Sequence, residues 1–308
     1  MSLRVTSRIS WAVACIVLSL ACAGERPSVP PVGTSTREVR DDLGRTVTVP
    51  GKIERAISLA PSITEMVFAV GAGDRLVGAT SYCNYPPEAM AIEKVGDTQT
   101  PNIEKIIALR PQIVFISTAS QLEAFSKTLK EQSISVYVTN PKTLDGVFRN
   151  MTELGNLFGT SEYTDGVVIS LAGRENWIRH QANYDREDPN RSIAKPRVFV
   201  QISREPLFTI GKDSFLTEIV ASAGGISTTK DIATAYPKIS KETALAMDPD
   251  VILLSDSDDN REPSEVLKNS PAVRNGRVYR INADTISRPG PRLVDALEEI
   301  AAKLTEKE

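Results

Sequence analysis

The feature that most constrains the fold of this 308-residue chain is a gapless match between two of its own segments: NIEKIIALRPQIVFIS, residues 102–117, aligns with SKETALAMDPDVILLS, residues 240–255. The pairing places Glu104 on Glu242, Ala108 on Ala246, Pro111 on Pro249 and Ser117 on Ser255, and the apolar positions coincide. Each copy reads as one unit, with apolar residues at helical spacing, a proline that stops the helix, and a short aliphatic run with the pattern of a buried strand. A second match, Thr64-Glu65-Met66-Val67 with Gly71 on Thr217-Glu218-Ile219-Val220 with Gly224, precedes the first in both halves. Two similar units in the same order, twice, imply two lobes built on one α/β plan.

Around these repeats, short apolar runs alternate with amphipathic ones. Arg55–Ala60 reads as a buried strand; Pro61 and Ser62 then provide a stop and a helix cap for a helix over Ile63–Val70, which Gly71 and Gly73 end. Strands are expected over 75–79, 113–116 and 133–138, and helices over 102–109 and 122–130. From Leu144 to about Tyr184, apolar residues such as Val147, Met151, Leu154, Phe158, Val168 and Trp177 recur at helical spacing, so long helices separate the halves. A charged, proline-containing segment, 185–196, closes them, and strand-like Arg197–Ile202 restarts the pattern. The expected organisation is an N-terminal lobe over 38–142, an interlobe helical region over 143–195 and a C-terminal lobe over 196–308.

The N-terminus has a different character. Arg4 and Arg8 precede an apolar run, Ile9–Ala21, that is shorter than the roughly 20 residues needed to cross a bilayer, so residues 1–22 read as a secretion signal. The run ends Leu18-Ser19-Leu20-Ala21-Cys22, which resembles the lipobox of bacterial lipoproteins. That resemblance implies lipidation of Cys22 and anchoring to the outer face of a membrane; plain cleavage to a free periplasmic form is the alternative. Residues 23–37 are rich in Pro, Gly, Ser and Thr and are expected to form a flexible tether. With Cys15 removed and Cys22 modified, Cys83 has no intramolecular partner, so no disulfide framework is expected.

Composition removes several functions. Lys and Arg total 36 against 39 Asp and Glu, leaving no basic excess for nucleic-acid binding. A single histidine, His180, sits beside Arg179 and Gln181 on the expected central helix, so several-ligand zinc sites and imidazole-based nucleophile systems lack their parts. Phosphate-loop, dinucleotide, hydrolase-elbow and zincin motifs are missing as well. No catalytic residue, resident cofactor or metal site is expected.

What the sequence offers instead is a set of loops at expected strand ends that collect aromatic and charged groups. They are Tyr82-Cys83-Asn84-Tyr85-Pro86-Pro87-Glu88, Ser203-Arg204-Glu205-Pro206-Leu207-Phe208, Ala235-Tyr236-Pro237, and Asp284 with Arg288-Pro289-Gly290-Pro291-Arg292. In open α/β sheets, ligands occupy the crevice at the carboxyl ends of the strands. Two such loops per lobe point to a ligand in a cleft between the lobes.

Three segments carry a resemblance: RAISLAPSITEMVFAVGAGDRLVGATSYCNYPPEA, VGDTQTPNIEKIIALRPQIVFIS and SRPGPRLVDALEEIA. Together they resemble the substrate-binding proteins of ABC importers for cobalamin, haem and iron siderophores, and within that class the cobalamin-binding members; the resemblance runs from Val39 to Leu304. It implies two Rossmann-like lobes joined by a long rigid helix, a shallow cleft with little hinge motion, and a monomer that delivers its ligand to a membrane permease driven by an ATPase. Tyr82 matches a tyrosine placed against the corrin, Tyr236 a position often held by tryptophan, and Asp284 and Arg288 polar cleft positions. Glu104 and Glu242 match surface glutamates, one per lobe, that grip arginines of the permease. Thr98 and Ser117 stand where characterised cobalamin binders carry tryptophans. The expected ligand-binding set is therefore Tyr82, Cys83, Tyr85, Thr98, Arg204, Phe208, Tyr236, Asp284 and Arg288. The favoured ligand is a corrinoid; haem or a ferric siderophore, held by Tyr82, Tyr85, Arg204 and Arg288, is the alternative.

Overall fold

The structure is a computed structural model that describes residues 35–117, 123–187 and 194–305. The signal segment, Cys22 and most of the expected tether lie outside the described residues. Among the described residues no helix is long and apolar enough to cross a membrane.

The first element is a hairpin that the sequence reading did not anticipate: β1 (Thr36–Arg40) pairs antiparallel with β2 (Thr46–Pro50). Thr36 and Arg37, expected at the end of the tether, are thus strand residues, and the Arg37 guanidinium donates to the carbonyls of Asn156 and Leu157. The turn holds because the buried Asp41 carboxylate accepts from the Leu43 and Arg45 amides and the Arg45 guanidinium, while Gly44 takes φ +73.

A four-stranded parallel sheet follows, β4 (Leu76–Ala79), β3 (Ala56–Ser58), β5 (Ile113–Ser117) and β6 (Ser135–Thr139), in that spatial order. Its crossovers are helices: α1 (Pro61–Ala69), α2 (Ile103–Ala108) and α3 (Glu123–Glu131). Helix α1 starts earlier than the sequence reading placed it. Ala60 is its extended N-cap and Pro61 the first helical residue, where a missing N–H costs nothing, so Ser62 is not the cap. The second sheet repeats the plan. Strands β9 (Ile226–Ser227), β7 (Arg197–Ser203), β10 (Val251–Asp256) and β11 (Val278–Asn282) run parallel in the same order as β4, β3, β5 and β6, with β8 (Phe208–Thr209) added antiparallel along the second half of β7. The helices of this half are α6 (Phe215–Ser222), α7 (Lys241–Met247), α8 (Pro271–Arg274) and α9 (Ala283–Ile286), and α10 (Leu293–Thr305) ends the described chain.

The repeat extends to the caps. Asn102 accepts from the Lys105 amide at the start of α2, and Ser240 accepts from the Thr243 amide at the start of α7. Between the sheets run α4 (Leu144–Phe158), which Gly159 ends at φ +74, and α5 (Ser161–Glu187), 27 residues and therefore roughly 40 Å long. A Cβ on Gly155 of α4 would collide with the Thr164 side chain of α5, so glycine permits the close approach of the two helices.

Both sheets belong to one unit, Ser35–Glu308. One apolar core runs through both halves, from Ile63, Met66 and Val147 to Val200, Ile219 and Leu297, with residues of α4, α5, α6 and α10 joining them. Each sheet has a separate core on its other face, Ile57, Ile106 and Val136 in the first, Phe199, Ala244 and Ile252 in the second. The fold class is the expected α/β class with two similar parallel sheets.

Candidate functional site

The carboxyl ends of both sheets open into a common cleft of about 620 Å³. Parallel strands end there by construction, so the loops after β3, β4, β5 and β6 form one wall, and the starts of α6 and α9 with the loops before α7 and α10 form the other. Of the expected ligand-binding residues, Tyr82, Thr98, Tyr236, Asp284 and Arg288 line this cleft, as does Ser117. Tyr82 is 56% exposed on the first wall and Tyr236 is 42% exposed on the second, so each lobe presents one phenol face to whatever enters. Burial of its inner edge raises the pKa of the Tyr236 phenol, and a hydrogen bond with Ser214 opposes that shift.

The remaining four of that set do not line the cleft. Cys83 is buried at 1% exposure, its sulfur held by the hydroxyls of Thr64 at 3.1 Å and Thr80 at 3.2 Å. The two threonines pack the thiol into the base of the Tyr82 loop, out of the cleft lining. Tyr85 lies under the Arg292 guanidinium, 4.0 Å from ring centroid to cation. Arg204 pairs with Glu262 at 3.1 Å and Glu265 at 3.2 Å, and Phe208 belongs to β8, bridged to Lys238. The loop after β7 folds back as β8 along its own sheet, which is why its side chains leave the cleft.

Arg288 is not a free cation. Its guanidinium donates to Glu65 at 3.1 Å and to the Asn84 side chain at 2.7 Å, and pairs with Asp284 at 2.6 Å; Asn84 in turn donates to Asp284 at 2.9 Å. Arg292 adds two bonds to Glu65, at 2.8 and 2.6 Å, and these hold its pKa above the ordinary arginine value. Glu65, in the middle of α1, is 2% exposed. A buried carboxylate of one half is thereby clasped by two arginines of the other, across one side of the cleft floor. Sequence reasoning missed this clasp. Both arginines stood out in the loop before α10 and Glu65 stood out in the repeat, yet they are more than 220 residues apart and no local pattern joins them.

The repeat partner of Glu65 contacts the interlobe region instead. Glu218 of α6 accepts from the Leu144 amide at the start of α4, at 3.3 Å, and burial raises its pKa. Glu104 and Glu242 are exposed in the first turns of α2 and α7, at equivalent places in the two repeats. The Glu242 carboxylate is held low by its own backbone amide and the Ser240 hydroxyl. His180 is exposed on α5 with its ring 5.5 Å from that of Tyr184, away from the cleft. Among the described residues no group of three or more His, Cys, Asp or Glu is arranged to hold a metal ion.

The chain is 31% identical over 265 residues to the vitamin B12-binding protein of Vibrio cholerae, covering 83% of this chain and 90% of that one. An uncharacterised ABC transporter substrate-binding lipoprotein of Bacillus subtilis is 29% identical over 272 residues, 86% of this chain and 84% of the relative. Among solved structures, the periplasmic vitamin B12-binding protein of Vibrio cholerae superposes with a TM-score of 0.69 at 30% identity, over 82% of this chain and 96% of that one. The periplasmic binding protein family matches residues 57–285, the stretch that holds both sheets, the helices between them and the cleft up to Asp284, and the chain belongs to that family.

Proposed function

We propose that this protein is the solute-binding component of an ABC importer, that it captures a corrinoid, cobalamin in particular, in the interlobe cleft, and that it passes the ligand to a membrane permease coupled to an ATPase. The carrying observation is the cleft itself: an open crevice of about 620 Å³ with one tyrosine face per lobe, Tyr82 and Tyr236. Large planar ligands are held by such aromatic faces with a few polar groups at the edge. Charge supports the same reading. Arg288 is paired with Glu65 and Asp284, and Arg204, away from the cleft, with Glu262 and Glu265, so the two arginines on which the haem alternative rests already have carboxylate partners in the protein. The likeness to vitamin B12-binding relatives adds to it. Cys22 is the proposed lipid anchor, and residues 23–35 the tether that lets the cleft reach the permease.

Calorimetric titration of the purified protein with cyanocobalamin and, separately, with haem tests this reading. Cyanocobalamin is expected to bind, and Tyr82→Ala is expected to weaken it about tenfold or more, the loss of one stacked aromatic contact, without lowering the melting temperature. Heat with haem and none with any corrinoid would overturn the corrinoid assignment while leaving the transport class in place.

A further inference from the structure

The two repeats place a carboxylate at equivalent positions of α1 and α6, and only one of the two is closed over by cations. Glu65 of α1 is met by Arg288 and Arg292, from the segment between β11 and α10. Strand β6 holds in the first sheet the place that β11 holds in the second, so the equivalent segment of the other half is the one between β6 and α4. That segment, Asn140-Pro141-Lys142-Thr143, has no arginine, and what meets Glu218 at its end is the Leu144 amide. Among the described residues no cation forms an ion pair with Glu218. Beside it a cavity of about 710 Å³ stays open, lined also by Lys142, Thr143, Lys212, Asp213 and Thr217.

Lys142, Asp213 and Ser214 line the interlobe cleft too, so this cavity adjoins the space that Tyr82 and Tyr236 face. Lys142, Lys212 and Asp213 are exposed and Glu218 is half-buried, and among the described residues none of the four forms an ion pair. The lining therefore offers ammonium donors, carboxylate acceptors and threonine hydroxyls, with the formal charges in balance. An anion drawn to either lysine is also repelled by Asp213 and Glu218, so a phosphate or carboxylate gains little here. A neutral group that both donates and accepts suits the lining better. A carboxamide can give its N–H to Asp213 or Glu218 and accept at its carbonyl from a lysine. A corrin ring carries carboxamide side chains around its rim, whereas haem carries carboxylates, and the nucleotide loop of cobalamin carries a phosphodiester. With the ring held in the cleft by the two tyrosines, side chains on one edge of the rim reach the adjoining cavity.

We propose that the cavity lined by Lys142, Lys212, Asp213 and Glu218 is a subsite for the rim carboxamides of a corrin, and that it selects amidated corrinoids over their carboxylate forms. The assignment rests on the corrinoid reading given above and adds to it the part of the ligand that is told apart.

Calorimetric titration of the purified protein with three corrinoids tests this. Cyanocobalamin is complete, dicyanocobinamide keeps the rim carboxamides without the nucleotide, and dicyanocobyrinic acid has carboxylates in place of those amides. Cobinamide is expected to bind about tenfold or more tightly than cobyrinic acid. The double substitution Asp213→Asn with Glu218→Gln keeps groups that an amide can bond and removes the repulsion of carboxylates. The preference should then fall about fivefold or more, while cobinamide affinity stays within about threefold. Because Gln retains an acceptor for the Leu144 amide, the melting temperature of the double variant should not fall. Lys142→Ala is expected to weaken cyanocobalamin and cobinamide alike, by about threefold to tenfold. Equal affinity for cobinamide and cobyrinic acid overturns the amide assignment, as does a preference that the double substitution leaves unchanged. A Lys142→Ala variant that loses cyanocobalamin affinity and binds cobinamide normally would overturn it too, and give the cavity to the phosphodiester. Absence of heat with all three corrinoids is a different result, because it removes the corrinoid reading itself and this subsite with it.

Discussion

Glu65 shows how one residue can set the relation between two halves of a chain. A carboxylate at 2% exposure is costly to bury alone, and it is tolerated because Arg288 and Arg292 surround it with three hydrogen bonds. Removing the carboxylate leaves two guanidinium groups half enclosed, with only Arg288 retaining an acidic partner in Asp284. Glu65→Ala is therefore expected to destabilise the protein by about 3 kcal/mol, the lower end of the cost of breaking a buried pair, read as a fall in the denaturation midpoint. An unchanged midpoint would mean that the clasp contributes nothing net. At the same scale, Cys83 illustrates what a residue type alone does not tell. A thiol inside a tyrosine-rich loop is a plausible ligand contact by chemistry, and two threonine hydroxyls packed around the sulfur make it a structural group instead.

At the level of elements, the repeat was the most legible part of the chain. Matching helices, caps and central strands recur because each copy solves the same local problem, a helix crossing over to a parallel strand. The equivalent first turns of α2 and α7 present Glu104 and Glu242 symmetrically, which suits a two-subunit permease. Changing both to Ala is expected to leave cobalamin affinity within about twofold, since neither lines the cleft, and surface changes of this kind seldom exceed a few tenths of a kcal/mol; uptake in a reconstituted transporter should fall sharply. Reduced binding in solution would instead put them in the ligand site. Helix α6 offers a pH test. Burial raises the folded-state pKa of Glu218 above 4.5, so its ionised form opposes folding and the stability it allows below that pKa is lost as pH rises through the raised value. Glu218→Gln keeps an acceptor for the Leu144 amide and should raise the melting temperature at pH 7 to 8, with the gain vanishing near pH 4. A gain that persists at pH 4 would exclude ionisation as its cause. The hairpin β1–β2 and the return strand β8 escaped the sequence reading because Thr36–Arg40 holds one aliphatic residue, Thr46–Pro50 two, and Phe208–Thr209 is only two residues long, too little apolar pattern to stand out from loops.

For the whole molecule, the cleft depends on how the halves are held. A core shared across both sheets, the length of α5 and the Glu65 clasp tie the two lobes together around the cleft. The sequence by itself determined the α/β class, the doubling of the sheet, the central helices and the loops from which Tyr82, Tyr236, Asp284 and Arg288 project, because all of these follow from periodicity, caps and turns within a few residues. Tertiary structure decided which of those loop residues share the cleft, that Arg204 and Arg288 pair with protein carboxylates, and that Cys83 is packed away. Each of those outcomes rests on contacts between segments tens to hundreds of residues apart, and burial and charge pairing at that range are set by packing, which no local pattern encodes.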